Sequence, residues 1–316
     1  MRMRMGISAA IALTAVAACL ASGAAPATAD SSPAVSVLSE PVQFASVSGA
    51  TLGYRIAGTG RPLMLIAGSS NTMAEWDPRM LDQLAQSRQI IVFDNRGAGT
   101  STGSVAHLTI ALMARDTAQL LTQLAPDGAD VLGWSMGGYI AQELAIRAPS
   151  RVRRLILAST DCGGPSTIPP TATALRTLTN PHATANERMA ILFPTDQMAA
   201  AGAWSAAIGV AYSQSNFLPG NAFEVSPAVA RAQNKAAGAQ WLGEGGGTCA
   251  RLGRIAQPTL IAAGRDDVIV PSRNHVALAS GIRHHTTTLY ADAGHAFLFQ
   301  PALGFTDAVV SFLSMA

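Results

Sequence analysis

Residues 130–138 are Asp-Val-Leu-Gly-Trp-Ser-Met-Gly-Gly, and they join a short apolar segment to a longer one with helical periodicity. The first part, Asp130–Trp134, has the length and composition of a buried β-strand, and Met136–Ala148 has the hydrophobic spacing of an α-helix. A Gly-x-Ser-x-Gly pattern centred on Ser135 lies between them. This pattern between a strand and a helix predicts a sharp turn that raises the serine hydroxyl above the end of the strand.

The predicted turn has a chemical consequence. The N–H group of Met136, the first residue of the helix, would point to the place where negative charge develops if Ser135 attacked a carbonyl group. The N-terminus of the helix adds positive potential at the same place. The same pattern also occurs in tight turns that only pack a strand on a helix. The assignment of Ser135 as a nucleophile therefore depends on partner residues elsewhere in the chain.

Strands and helices alternate along most of the chain. Buried strands are predicted, besides the one before Ser135, at Leu63–Ala67, Ile90–Asp94, Val152–Ala158, Thr259–Ala263 and Thr286–Leu289. Further helices are predicted at Pro78–Ser87, Leu108–Leu124, Pro271–Ser280 and Pro301–Leu313. Alternating residues at Val42–Val47 and Thr51–Ala57 predict a hairpin that forms an antiparallel edge. The alternation is typical of an α/β protein with a doubly wound, mostly parallel sheet that has helices on both faces.

The alternation stops between residues 163 and 252. This stretch contains two adjacent prolines, many alanines and scattered aromatic residues, but no convincing buried strand. We interpret residues 163–252 as an inserted helical cap, and we expect residues 42–162 and 253–316 to form the α/β core. Residues 30–41 are rich in Ser and Pro, and we expect them to form a flexible leader.

Composition excludes several classes of function. The chain has 316 residues, of which 49% are hydrophobic and only 13% are charged, which is too apolar for a disordered protein. Arg2 and Arg4 supply the only charges of residues 1–29, so the remaining 19 bases and 19 acids balance. Without a basic patch, neither nucleic acid nor an anionic membrane surface is an expected partner.

The N-terminus has the features of an export signal. Two arginines precede a short, Ala-rich apolar run, and a small-residue site, Ala27-Thr28-Ala29, follows. This pattern predicts a signal peptide over residues 1–29 and a secreted, periplasmic or cell-envelope protein, and the run is too short to favour a permanent membrane span. Val16-Ala17-Ala18-Cys19 is similar to a bacterial lipoprotein box, so lipidation at Cys19 is the alternative to cleavage after Ala29.

Two cysteines remain after the predicted signal peptide. Cys162 stands at the entrance of the cap and Cys249 stands at its exit. An exported chain meets an oxidising compartment, so the two residues are candidates for a disulfide that would fix both ends of the cap. Two buried free thiols are the alternative.

The partners of Ser135 follow in a characteristic order. Residues 264–271, Gly-Arg-Asp-Asp-Val-Ile-Val-Pro, come directly after one predicted strand, and Gly294-His295 comes after the next. Active sites assemble at the carboxyl ends of parallel strands. The order Ser, Asp, His and these motifs resemble an α/β-hydrolase-fold enzyme with a helical cap, and the resemblance covers nearly the whole chain after residue 42.

The resemblance implies a role for each of these residues. The nucleophile of the family corresponds to Ser135, and its base corresponds to His295. The family's acid stands three residues after the Gly of the Gly-x-x-Asp motif, which selects Asp267 over Asp266. The resemblance therefore predicts a catalytic triad of Ser135, His295 and Asp267.

Two further loops match the family. Ala67-Gly68-Ser69-Ser70 occupies the place of an oxyanion turn, with Ala67 where the family has His. This implies that the N–H of Ser69 is a second oxyanion donor beside that of Met136, with Ser70 as an alternative. Residues 94–101 resemble a family loop whose Asp and Arg are structural rather than catalytic. Trp134 and Ser70 are the candidate substrate-contacting residues.

The resemblance implies hydrolysis of a small carboxylic ester or lactone through an acyl-enzyme. Carbon–carbon bond hydrolysis of a diketone and a cofactor-free haloperoxidase-like activity are alternatives within the same fold. A non-catalytic binding protein of this fold is an alternative of another class. No cofactor and no metal are expected, since the adjacent His284 and His285 lack further ligands at useful spacing and no phosphate-binding glycine motif is present.

Overall fold

The computed structural model describes residues 37–180, 182–213, 220–243 and 246–315. The predicted signal peptide, Cys19 and most of the predicted leader lie outside these ranges. Among the residues described, no helix has the length and apolar character that a membrane crossing requires.

Within the described residues, eight strands form one sheet in the order β1-β2-β4-β3-β5-β6-β7-β8. From β4 onward in this order the neighbouring strands are parallel, and the β1–β2 and β2–β4 pairs are antiparallel. The α/β architecture and the antiparallel edge predicted from the sequence are confirmed. The strands are β1 Gln43–Val47, β2 Ala50–Ala57, β3 Arg61–Ile66, β4 Arg88–Phe93, β5 Ala129–Trp134, β6 Val152–Ala158, β7 Thr259–Gly264 and β8 His285–Tyr290.

Helices cover both faces of the sheet. Leu63 and Leu65 of β3 pack toward the side that carries α1 and α9, whereas Met64 and Ile66 point to the side of α2, α3 and α8. This period of two is what a strand buried on both faces requires. The helices are α1 Pro78–Ala85, α2 Ile110–Leu124, α3 Met136–Arg147, α4 Ala172–Thr179, α5 Ala185–Leu192, α6 Met198–Ser213, α7 Pro227–Lys235, α8 Asn274–Gly281 and α9 Phe305–Ser314.

Two helices begin three or more residues later than the sequence predicts. The last one was expected from Pro301, but Pro301–Leu303 forms a single 3₁₀ turn that ends at Gly304, whose φ is +68°. The left-handed residue interrupts the helix, and α9 starts after it. In the same way, α8 starts at Asn274 rather than at Pro271, because the chain from Asp267 to Pro271 makes a loop around the Asp267 carboxylate.

The cap contains α4 to α7 and a π-helical turn at Ala236–Leu242, all between β6 and β7. Its helix α6 is attached to the core by two side chains. The indole of Trp204 donates to the Glu75 carbonyl oxygen at 3.2 Å, and the Tyr212 hydroxyl donates to the Ala74 carbonyl oxygen at 2.9 Å. The structure also joins Cys162 and Cys249 in a disulfide, with their Cα atoms 4.8 Å apart. The two ends of the cap therefore leave the core at one point.

Candidate active site

Ser135 occupies a strained backbone position at the end of β5. Its φ is +57° and its ψ is −123°, a conformation that costs a residue with a side chain on the order of 1–3 kcal/mol. The surrounding chain holds it there. The Ser135 N–H donates to the Ala158 carbonyl oxygen at 3.0 Å, and the Ser135 carbonyl oxygen accepts from the Gly138 N–H at 2.8 Å and the Thr160 hydroxyl at 2.9 Å.

The two glycines after Ser135 are required by close packing. A Cβ atom on Gly137 would collide with the carbonyl oxygen of Ile66 on the neighbouring strand. A Cβ atom on Gly138 would lie 2.5 Å from the Cβ atom of Thr160. Both distances are far inside a normal van der Waals contact, so only glycine lets α3 begin this close to the sheet. The sequence pattern around Ser135 therefore has a steric cause.

Asp267 and His295 form a buried hydrogen-bonded pair. The Asp267 Oδ2 atom lies 2.8 Å from the His295 Nδ1 atom, and both side chains are almost fully buried. The other carboxylate oxygen, Oδ1, accepts from the N–H groups of Ile269 and Val270, at 2.8 Å each. A carboxylate facing Nδ1 favours the tautomer with its proton on Nδ1, which leaves Nε2 free to accept a proton.

The adjacent carboxylate is in a different environment. Asp266 is exposed, and its backbone N–H donates to the Ala293 carbonyl oxygen at 2.9 Å. Of the two neighbouring acids, Asp267 is the one that contacts His295.

Trp134 links the nucleophile turn to the histidine loop. Its indole N–H donates to the His295 carbonyl oxygen at 3.0 Å, and the two ring centroids are 5.6 Å apart. Its ring also packs against Phe299 and Trp76. Because Trp134 directly precedes Ser135, this contact brings the predicted base to the strand end that carries the predicted nucleophile. The side chain of Trp134 is thus used to hold the site together.

The loop from Ala67 to Ser70, here called the oxyanion loop, lies against Ser135. A Cβ atom on Gly68 would be 3.3 Å from the Ser135 Cβ atom. The Ser70 N–H donates to the side chain of Gln233 at 2.7 Å, so this group is already used. Within the described part of the chain, the N–H groups of Ser69 and Met136 donate to no protein group. Of the two serines in this loop, Ser69 is therefore the one with an available donor.

The oxyanion loop is held by residues that the sequence analysis did not single out. Gln233 and Asn234 belong to α7 of the cap, and the Ser69 hydroxyl donates to the Asn234 Oδ1 atom at 3.2 Å. From the core, the Asn95 side chain approaches the Ala67 carbonyl oxygen at 3.4 Å. No local motif marks Gln233 or Asn234, because each acts on a segment more than 160 residues away.

The loop of residues 94–101 has the structural function implied by the family resemblance. Asp94 accepts from the Met73 N–H at 2.7 Å and from the Thr100 N–H and hydroxyl, and burial raises the pKa of its carboxyl group. Arg96 forms a buried ion pair with Asp116 at 2.7 Å. These contacts connect the end of β4 to the segment that follows the oxyanion loop.

Two buried ionisable groups near the site have shifted pKa values. Burial lowers the pKa of His275, on α8, to about 4, although Asp267 and a hydrogen bond with the Thr160 backbone oppose the shift. His275 is thus neutral in the folded protein at neutral pH. Burial raises the pKa of Glu75 to about 7, opposed by hydrogen bonds from Thr72 and Asn71. Among the described residues, no group of three potential metal ligands comes together.

Comparison with known proteins identifies the family. A model of the alpha/beta hydrolase fold family matches residues 61–302. The chain is 30% identical over 271 residues to a putative carbamate hydrolase RutD from Variovorax paradoxus, which covers 83% of this chain and 96% of that protein. The chain therefore belongs to the alpha/beta hydrolase family.

Other relatives differ in their recorded reactions. A 2-hydroxymuconate semialdehyde hydrolase from a Pseudomonas species is 29% identical over 265 residues, covering 82% of this chain and 89% of that protein. A RutD from Azorhizobium caulinodans is 37% identical over 116 residues, which is 37% of this chain and only 43% of that protein. An alpha/beta hydrolase fold protein from Chitinophaga pinensis has the same fold, with a TM-score of 0.75 at 24% identity, covering 88% of this chain and 99% of that chain.

Proposed function

We propose that the protein is an exported serine hydrolase that cleaves a small carboxylic ester or lactone through an acyl-enzyme on Ser135. The observation that carries the proposal is the 2.8 Å contact between Asp267 and His295, at the same strand ends as a serine with a φ of +57°. Structural packing alone does not require a buried Asp–His pair beside a strained serine. The Asp267–His295 pair can act as a base, and the strained turn raises the Ser135 hydroxyl above the end of the strand.

In the first half of the reaction, the Ser135 oxygen attacks the acyl carbonyl carbon and His295 Nε2 takes the hydroxyl proton. Asp267 keeps His295 in the required tautomer and stabilises the imidazolium that forms. The Ser69 and Met136 N–H groups donate to the oxyanion. Collapse of the tetrahedral intermediate breaks the ester bond, and the proton on His295 passes to the departing alkoxide.

In the second half, His295 takes a proton from water, and the resulting hydroxide attacks the acyl carbon. The Ser135 oxygen leaves with the proton from His295, and the carboxylic acid is released. Electrons and protons balance without a further reactant, so this chemistry requires no cofactor.

Labelling with a fluorophosphonate tests the proposal, because the reagent phosphonylates an activated serine. We expect the wild-type protein to be labelled and Ser135→Ala to remain unlabelled and without esterase activity. A folded wild-type protein that is not labelled would favour a non-catalytic binding protein. A panel of p-nitrophenyl esters from acetate to palmitate, with several lactones, would then define the acyl preference.

Carbon–carbon bond hydrolysis is the second candidate. It is favoured by the 29% identity to a 2-hydroxymuconate semialdehyde hydrolase over most of both chains. The same three residues can serve both reactions, so the substrate panel should include a diketone. Preference for the diketone over every ester would select this candidate.

Export of the protein is part of the proposal. It is supported by the basic, apolar and small-residue pattern of residues 1–29, and the disulfide between Cys162 and Cys249 is compatible with an oxidising compartment. Sequencing the N-terminus of the mature protein tests it. A start at Asp30 supports cleavage after Ala29, and a lipidated Cys19 at the start supports the lipoprotein alternative.

A further inference from the structure

Gln233 is a fully buried polar residue at the contact between the cap and the oxyanion loop. Its side-chain Oε1 atom accepts the Ser70 N–H at 2.7 Å, and its Nε2 atom has no hydrogen-bond partner among the described residues. A buried amide nitrogen without an acceptor is costly, and such groups are uncommon in folded proteins.

The orientation of this amide is fixed by its partner. A backbone N–H can only donate, so the oxygen of the Gln233 amide must face Ser70. The nitrogen and oxygen atoms of a glutamine amide are often hard to tell apart, but here the flipped orientation is excluded because it would place an NH₂ group against the Ser70 N–H. Within the part of the chain that the structure describes, the NH₂ group therefore carries two unused donors beside the oxyanion loop.

The location of the unused donors connects them to the reaction. Ser70 lies two residues after Gly68, which packs against Ser135, and the residue between them, Ser69, has the available oxyanion donor. Asn234, the next residue of α7, accepts from the Ser69 hydroxyl. These two cap residues therefore contact the segment that carries the available oxyanion donor.

We propose that Gln233 is a specificity-determining residue that donates a hydrogen bond from Nε2 to a second acceptor oxygen of the substrate, while its Oε1 atom positions the oxyanion loop. The substrate class is an acyl compound with a neutral ether or carbonyl oxygen near the scissile carbonyl. A neutral amide N–H group matches a neutral acceptor oxygen. The inference rests on the proposed hydrolase function.

Paired substrates separate this contact from general activity. p-Nitrophenyl methoxyacetate and p-nitrophenyl butyrate have nearly the same shape and differ by one oxygen, as do the 3-methoxypropionate and pentanoate esters. For each pair, the ratio of kcat/KM for the ether to that for the alkyl ester is compared between wild type and variants. The two esters differ in intrinsic reactivity, but this difference is the same for every protein and therefore drops out when the ratios are compared.

Two substitutions at Gln233 divide its two functions. Gln233→Met removes both the donor and the acceptor, and we expect the ratio to fall about tenfold for at least one pair, together with a lower kcat for the alkyl esters. Gln233→Glu keeps an oxygen toward Ser70 and, in its ionised form, has no donor. We expect it to lose the same ratio, which compares two substrates of one variant and is therefore read independently of any change in that variant's kcat for the alkyl esters. Gln240→Met, at an exposed glutamine of the same cap, serves as the control.

The outcomes are distinct. Unchanged ratios in both Gln233 variants, with active enzyme, would overturn the role of Gln233 and leave the hydrolase function intact. If Gln233→Met does not fold, the ratio in Gln233→Glu decides alone. A wild-type protein that hydrolyses no ester of either pair would overturn both proposals.

Discussion

The nucleophile turn and the oxyanion loop face each other, yet they are built in different ways. The nucleophile turn, residues 133–138, is held by its own glycines and by strand neighbours of the core. The oxyanion loop, residues 67–70, is held in addition by Gln233 and Asn234 of the cap. The first is therefore a property of the core alone. The second is complete only when the cap is in place.

On the proposed function, the core supplies the reactivity of the site and the contact with the cap supplies its selectivity. Substitutions of the core residues Ser135, Asp267 and His295 should slow bond cleavage by orders of magnitude for every substrate. Substitutions at the contact with the cap should change rates by small factors that depend on the substrate.

The largest effect is expected at Asp267. Asp267→Asn keeps the size of the side chain but no longer favours the required tautomer of His295, so kcat should fall about 10⁴-fold. Asp266→Asn is the matched control, and it should change kcat less than about twofold because this side chain is exposed. Steady-state kinetics with p-nitrophenyl butyrate measures both. Equal losses in the two variants would mean that the Asp267–His295 contact is not used in catalysis.

Loss of the disulfide should have the next largest effect, on stability. The bond closes a loop with a sequence separation of 87, and its removal should lower the free energy of unfolding by about 2–5 kcal/mol. The measurement is urea unfolding of the Cys162→Ser, Cys249→Ser double variant and of wild type in dithiothreitol. If both unfold like oxidised wild type, the bridge does not stabilise the attachment of the cap to the core.

Acid should destabilise the fold through His275. Its pKa is about 4 when folded and near 6.5 when unfolded, so between these pH values the unfolded chain binds the extra proton. Above pH 6.5 His275 is mostly neutral in both states and does not oppose folding. As the pH falls toward 4, the free energy of unfolding decreases by about 3 kcal/mol at most, because the unfolded chain binds the proton and the folded one does not. Urea unfolding at pH 7 and at pH 4.5 measures the loss.

A variant isolates this contribution. His275→Asn removes the titrating ring and keeps a side-chain N–H, so its stability should change less between pH 7 and pH 4.5 than that of wild type. His107→Asn, at an exposed histidine, should retain the wild-type pH dependence. An identical pH dependence in all three proteins would show that His275 is not the group responsible.

The smallest effect is expected at Asn234. Asn234→Ala removes the acceptor of the Ser69 hydroxyl at an exposed position of α7, so kcat/KM should fall less than about threefold. The fluorophosphonate labelling rate should change by no more than this factor. A loss of more than a hundredfold would contradict the division between the two sides of the site, because it would make the cap as necessary as the core.

The sequence was sufficient where the structural cause is local. Gly137 and Gly138 are required by contacts with the adjacent strand and with Thr160, and such requirements produce a pattern over a few residues. The alternation of strands and helices likewise predicts the doubly wound sheet, because each element buries its own apolar face. Asp267 and His295 could be selected because each follows a predicted strand and resembles a family motif.

The remaining features depend on contacts between distant segments. The pairing of Ser70 with Gln233 joins residues 163 positions apart and leaves no periodic signal in either segment. The start of α8 at Asn274 depends on the backbone that wraps the Asp267 carboxylate, which the helical pattern from Pro271 does not contain. Burial of His275 is equally a property of the assembled core.

Trapping the acyl-enzyme tests directly whether Ser135 is the nucleophile. The wild-type protein is mixed with p-nitrophenyl butyrate, quenched in acid within milliseconds, digested and examined by mass spectrometry. We expect a butyryl group on the Ser135 side chain that disappears as turnover ends. Sustained ester hydrolysis with the butyryl group on another residue, or at an undiminished rate in Ser135→Ala, would contradict it.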